Sequence, residues 1–242
     1  MKNYMLTDIA IRHNGVMLRR IKATRTFRNG CSIVEAGEIG GFIESEANLK
    51  DNAWVYGNGK VYGSAVISEF ASVAGHAEVC DRASVRGYAR VMGRAKVSDS
   101  AVVTDFAIVI KRAKVRRFAS IRDHAYVSGC AIVTNCATVL DNASVYHYAI
   151  VGGNAVVKGH ALICDHGVVC DRAEVRDHGA VRGDAMVFGD SSVDGHAIVC
   201  GLVQLCTAAH VGGNAFISGF RKVQGAAEIG GETVMIDDED DE

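Results

Sequence analysis

From Ala47 to Ile229 the chain repeats small-x-aliphatic every six residues, with no insertion or deletion. One frame reads Ala53-Trp54-Val55, Gly59-Lys60-Val61, Ala65-Val66-Ile67, Ala71-Ser72-Val73, and so on to Ala227-Glu228-Ile229. The aliphatic slot occurs 31 times and holds only Val, Ile or Leu; of the 31 small slots, 25 are Ala. A period of six fits no helix. Alternation of inward and outward side chains makes a short strand of four residues, and the other two must turn. From position 57 to 231 the first turn residue is Gly 16 times, Asp 8 times and Asn once out of 30, residues that tolerate left-handed backbone angles.

Three such units make an 18-residue triangular coil. Stacked coils pair as parallel strands at about 4.8 Å per rung, and at 18 residues each the stretch from Ala47 to Ile229 makes about ten coils. The interior is narrow, and each buried Val contributes about 1.5–3 kcal/mol, so small side chains suffice for a core. Proline, which would interrupt the ladder, is absent. Val203 and Arg221 break the small-residue rule; Arg221 cannot enter an apolar core unpaired, which predicts a bulge or a loosened final rung.

Residues 1–46 lie outside the repeat. Leu6 to Arg12 and Val16 to Ala23 read as strands joined at His13-Asn14-Gly15, a strong hairpin signal. A solenoid end exposes strand edges and core, so this hairpin and Phe42-Ile43 are the expected cap. The expected divisions are a cap at 1–46, a β-helix at 47–235 and a disordered acidic tail at 236–242.

These residues resemble the hexapeptide-repeat proteins. The resemblance implies an all-β fold built as a single-stranded left-handed parallel β-helix, and the trimers common among hexapeptide acyltransferases. The turn Gly sits two places after the aliphatic residue, as in Val61-Tyr62-Gly63, rather than one. The segment from Ala36-Gly37-Glu38-Ile39-Gly40-Gly41-Phe42-Ile43 to Ala53-Trp54-Val55-Tyr56 is similar to the opening segment of YdcK-like and prophage-encoded repeat proteins, often labelled transferases.

Residues 18 apart should stack. One corner column reads Phe70, Tyr88, Phe106, His124, Asn142, His160, His178, His196, Asn214. Its imidazoles make His160, His178 and His196, with Asp177 beside His178, the candidates for a general base. The competing reading is a stabilising stack of flat side chains. A zinc site is not expected, because a column is a poor tetrahedron and rungs two apart are about 9–10 Å distant. The same spacing separates Cys164 from Cys200 and Cys170 from Cys206, so free thiols and a reducing compartment are expected.

Outward apolar residues suggest an interface: Ile108, Ile110, Tyr126, Tyr146, Leu162, Ile198 and Phe216 on one face with Trp54 and Tyr56, and Ile132, Ile150, Val168, Met186 and Phe188 on the next. Coverage by the N-terminal segment or by the tail is the alternative. Cations gather at Arg94, Lys96, Lys111, Arg112, Lys114, Arg116, Arg117 and Arg122, an anion-binding candidate expected to wrap around corners. A formal charge of −2 and the absence of interleaved aromatics argue against a nucleic-acid partner. No apolar run approaches the about 18 residues of a membrane span, and Met1-Lys2-Asn3-Tyr4 does not open a signal peptide, so a cytoplasmic location is expected. The leading functional reading is a non-catalytic scaffold or binding protein, a homo-oligomer (trimer or dimer) or the holder of a protein partner, with no cofactor. The alternative is an acyltransferase using acetyl-CoA or another acyl-CoA.

Overall fold

The computed structural model describes residues 2–236. The acidic run at 237–242 lies outside them. Among the described residues strands dominate, and the one helix-like element is a single 3-10 turn at Glu46–Asn48. The chain divides into two compact units, Met1–Asp123 and His124–Glu242, and each is a β-solenoid.

In the first unit, strands β1 (Tyr4–His13) and β2 (Val16–Ala23) form an antiparallel hairpin. Its turn is Asn14-Gly15, both at positive φ. A short hairpin of β3 (Phe27–Asn29) and β4 (Ser32–Val34) follows, then β5 (Ile39–Ile43). Strand β2 pairs antiparallel with β5, and β5 starts a parallel ladder through Lys60–Val61, Glu78–Val79, Lys96–Val97 and Lys114–Val115. The other two ladders run from Val66–Ile67 to Ser120–Ile121 and from Trp54–Val55 to Ile108–Val109. The hairpin thus continues a sheet, as a cap must, but it also folds onto the outside. Leu18 and Phe42 pack on Tyr62 and Cys80, two rungs of the outer surface.

That covering corrects one expectation. Trp54 points outward from its rung yet is fully buried, with Phe27 edge-on at 5.6 Å. Tyr56 beside it donates to Asn29 Oδ1 at 3.2 Å. Asn29, itself buried, donates to Asn52 O, Phe70 O and Ala71 O, pinning β3 to two successive rungs. The N-terminal segment therefore shields these two aromatics, which are not part of an open face.

In the second unit the ladders run through Ile132, Ile150, Val168, Met186, Gln204 and Lys222; through Thr138, Val156, Glu174, Ser192, His210 and Glu228; and through Tyr126, Ser144, Leu162, Ala180, Ile198, Phe216 and Val234. Each step is 18 residues. The hydrogen-bonded strands are two residues long rather than four. In both units the Ala and Val slots form the core; Ala143, Val145, Ala149 and Val151, for example, have no exposed surface.

No bulge appears at Arg221. Gln204 still faces Lys222 and Leu205 faces Val223. What changes is cover: Val223, Ile229 and Met235 are only half-buried, because no further described rung packs on them. Val203 is accommodated in its small slot with no exposure.

All 30 first-corner positions from 57 to 231 have positive φ, including Glu69, Lys111, Arg117, His147 and Thr207. Aspartate at the corner does more than tolerate the angle. Asp81, Asp99 and Asp105 in the first unit accept from the backbone N–H one rung on, as do Asp141, Asp165, Asp171 and Asp177 in the second.

Candidate functional sites

The second unit brings His160, His178 and His196 together as expected. Their rings stack at 5.0 and 4.6 Å with interplanar angles of 12° and 19°. All three are exposed, and none bonds a carboxylate among the described residues. Asp177, the acidic candidate beside His178, is used by the fold: its carboxylate takes the Gly195 N–H at 3.4 Å. In the first unit Phe70, Tyr88 and Phe106 stack in the same manner, at 4.9 and 5.1 Å. Each unit thus has a column that is a stack of flat rings.

Histidines with a carboxylate do exist elsewhere, at His13–Glu78, His147–Asp165, His166–Asp184 and His210–Asp194, and the last has the least exposed acid. On the Glu174 face, Lys158 pairs with Glu174 at 2.7 Å, and Arg176 reaches Asp194 at 2.7 Å. His210 Nε2 lies 3.0 Å from the same Asp194 oxygen. Asp194 is only 13 % exposed; burial acts to raise its pKa, but the Arg176 and His210 bonds outweigh it and hold the carboxyl below the usual range. Gly212 makes the pair possible, since a Cβ there would stand 2.5 Å from Asp194 Oδ1 and 2.9 Å from His210 Nε2. A shallow 270 Å³ hollow adjoins it, lined by His210, Gly212, Gly213, Glu228, Ile229 and Gly230. The signal was in the sequence: residues 158, 176, 194 and 174, 192, 210 are two columns of the same 18-residue ruler.

A larger hollow of 610 Å³ lies in the first unit against Lys2, Asn3, Tyr4, Arg25, Glu46, Leu49, Lys50, Asp51 and Asn52. Its polar groups serve the cap: Arg25 donates to Asn3, Lys2 pairs with Glu46, and Tyr4 donates to Glu46 O and Leu49 O. Burial pushes the Tyr4 hydroxyl up to about 12. All eight cysteines are free. Burial, reinforced by Asp165, pushes the Cys164 thiol up to about 11, the opposite of an activated nucleophile.

The outward apolar residues sort by ladder. Ile132, Ile150, Val168 and Met186 face one another in register, with Phe188 beside Met186. Tyr126, Tyr146, Leu162, Ile198 and Phe216 share a different face, which Arg182 interrupts. Ile108 and Ile110 belong to the first unit. Of these twelve only Ile150 is as open as 38 %; neighbouring rungs half-bury the others, because a 4.8 Å spacing (approximately) leaves stacked side chains in contact.

The cations of the first unit gather more tightly than expected. Lys96 and Lys114 are partners in register, Arg116 follows on the same rung, and Arg94, Lys111, Arg112 and Arg117 stand at the corners flanking that face. Arg122 alone belongs to the next ladder. A scan against protein-family models finds no match, and a search of curated proteins finds no relative. The geometry therefore carries the functional reading. Charge is divided between the units: residues 1–123 hold 20 Lys and Arg against 12 Asp and Glu, and residues 124–242 hold 6 against 16. The near-neutral total conceals a basic unit and an acidic one.

No described helix is long and apolar enough to cross a membrane.

Proposed function

We propose that this protein is a non-catalytic solenoid scaffold that presents flat faces to a protein partner or to a second copy of itself. One observation carries the reading. Along five successive rungs of the Ile132 face, the ten outward positions are Ile132, Thr134, Ile150, Gly152, Val168, Cys170, Met186, Phe188, Gln204 and Cys206, and none is charged. The neighbouring Glu174 face of the same unit carries Lys158, Glu174, Arg176 and Asp194. Five rungs make a strip about 24 Å long, and uncharged patches of this scale on soluble proteins mark interaction surfaces. The trimer and the prophage setting enter through the resemblance to hexapeptide-repeat proteins. A cytoplasmic location fits eight free thiols.

The test is sedimentation velocity across a concentration series, with Ile150→Lys and Met186→Lys combined. The expected outcome is concentration-dependent association of the wild type that the double variant loses while keeping its β-sheet circular dichroism. A wild type and variant that sediment identically and bind the same partners would sink the reading.

A second reading, an acyl-CoA-dependent acyltransferase, is favoured by the His210–Asp194 pair beside its hollow, a carboxylate-held imidazole suited to removing a proton from an acceptor. Calorimetric titration with acetyl-CoA tests it: saturable binding and turnover abolished by His210→Ala would establish it, and heat of dilution alone would exclude it.

A further inference from the structure

The basic face of the first unit is a separate feature, independent of the scaffold reading and of the Ile132 face. Arg94, Lys111, Arg112, Lys114 and Arg116 are all exposed, and none has a carboxylate partner among the described residues. The acids nearby are already engaged. Glu78 lies 2.9 Å from His13 and 3.9 Å from Lys96, while Asp81 and Asp99 accept backbone N–H groups of the next rung. The field of these cations is therefore directed outward. Lys114 and Arg116 alternate along one rung, about 6.6–6.8 Å apart, with Arg112 at the corner before them and Arg94 and Lys96 a rung behind. This is a track that a flexible polyanion can follow.

Charge alone does not say which polyanion. Phe118 does. It directly follows Arg117 at the corner of this face and is 65 % exposed. Of the other open rings at this unit's corners, Tyr88 is held between Phe70 and Phe106 and presents only its edge, and Phe106 has one face against Tyr88. Phe118 has no ring partner among the described residues, and its 18-residue neighbour within the unit is Ser100. A ring face beside a row of cations is the pairing used to bind single strands: charges follow the backbone and the aromatic takes a base. We propose that the Lys96–Lys114 face, with Phe118 at its edge, binds single-stranded nucleic acid. The formal charge of the whole chain hides this, because the acidic unit cancels the basic one.

The experiment is fluorescence anisotropy of a labelled oligodeoxythymidine with the full chain. About five phosphate contacts, at a slope of ~0.7 each for single strands, predict a loss of about 100-fold in affinity between about 50 and 200 mM salt. Lys114→Glu combined with Arg116→Glu should weaken binding at least about tenfold and flatten the salt slope. Phe118→Ala should weaken it about fivefold or more with the slope unchanged, since stacking is not ionic. Arg122→Glu, on the next ladder, should leave affinity within about twofold of the wild type in low salt. Phe118 and the cations are exposed, so circular dichroism should confirm that each variant folds.

Four results would overturn the proposal. The first is no binding at low salt. The second is a Phe118→Ala variant indistinguishable from wild type, which would make the face a generic polyanion sink. The third is an Asp/Glu-rich peptide binding as tightly as the oligonucleotide, which would make the ligand an acidic protein. The fourth is salt-sensitive self-association that the oligonucleotide fails to displace, which would make the face a contact between copies.

Discussion

Asp99 Oδ2 accepts a hydrogen bond from the backbone N–H of Arg117, 2.9 Å away and one rung further along the first unit. Asp99 is itself at φ 59°, and its own N–H is bonded to Asp81 Oδ2. A corner aspartate thus tolerates the left-handed turn and also ties its rung to the next, which glycine cannot do.

Substitution at Asp99 separates the two roles. Asp99→Gly removes only the bond and should cost about 1 kcal/mol. Asp99→Ala also places a Cβ-bearing residue without a local hydrogen bond at positive φ, and should cost about 2 kcal/mol. Urea midpoints of the two variants check the order; equal losses would refute the first role, and an Asp99→Gly variant as stable as the wild type would refute the second.

Thr207 is the converse case, a β-branched residue at φ 70°. Thr207→Gly relieves about 1–2 kcal/mol of left-handed strain and returns about 0.4–1 kcal/mol through the freer unfolded chain. The expected net is a gain of about 0.5–1 kcal/mol, read as a higher denaturant midpoint.

Asp165 predicts an acid limb. The Gly183 N–H and then His147 Nδ1, at 2.9 Å, hold its carboxyl below the usual range. A depressed folded pKa stabilises the fold above the unfolded value of about 3.9 and loses that contribution as pH falls through the folded value. Asp165→Asn keeps an oxygen for Gly183 but does not titrate. Stability measured from neutral pH down to about pH 2 should fall less steeply in the variant than in the wild type.

Trp54, the chain's single tryptophan, reports on the cap. A Cβ at Gly40 would lie 2.6 Å from Ile21 Cγ1, 2.7 Å from Val55 O and 2.8 Å from Trp54 Cζ2. Gly40→Ala should therefore lift the cap, red-shift Trp54 emission and cost about 1–3 kcal/mol. An unshifted spectrum at unchanged stability would show that the cap yields without strain.

The repeat made the columns legible before any coordinates, because Val61, Val79 and Val97 can only recur in one place if every sixth residue turns inward. The stacks of Phe70 with Tyr88 and of His160 with His178 followed from the same ruler. Three things did not follow. The left-handed angle at Lys111, Arg117 and Thr207 is imposed by neighbouring rungs against local preference. The draping of β2 and β3 over Trp54 and Tyr62 depends on tertiary packing that carries no period. The His210–Asp194 pair needs Gly212 to be empty, and a missing side chain is a weak signal in a chain with 27 glycines.

The 18-residue step also sets which changes of length the chain can survive. Within the second unit, eighteen residues inserted after Lys158 would lengthen every ladder and leave Val168 and Met186 in line with Ile150. Six residues at the same point would preserve the core, since Ala and Val would still fall inward, yet would carry Val168 and Met186 onto another face. Indels here have a phase: multiples of eighteen keep faces, multiples of six keep only the fold, and other lengths spoil both.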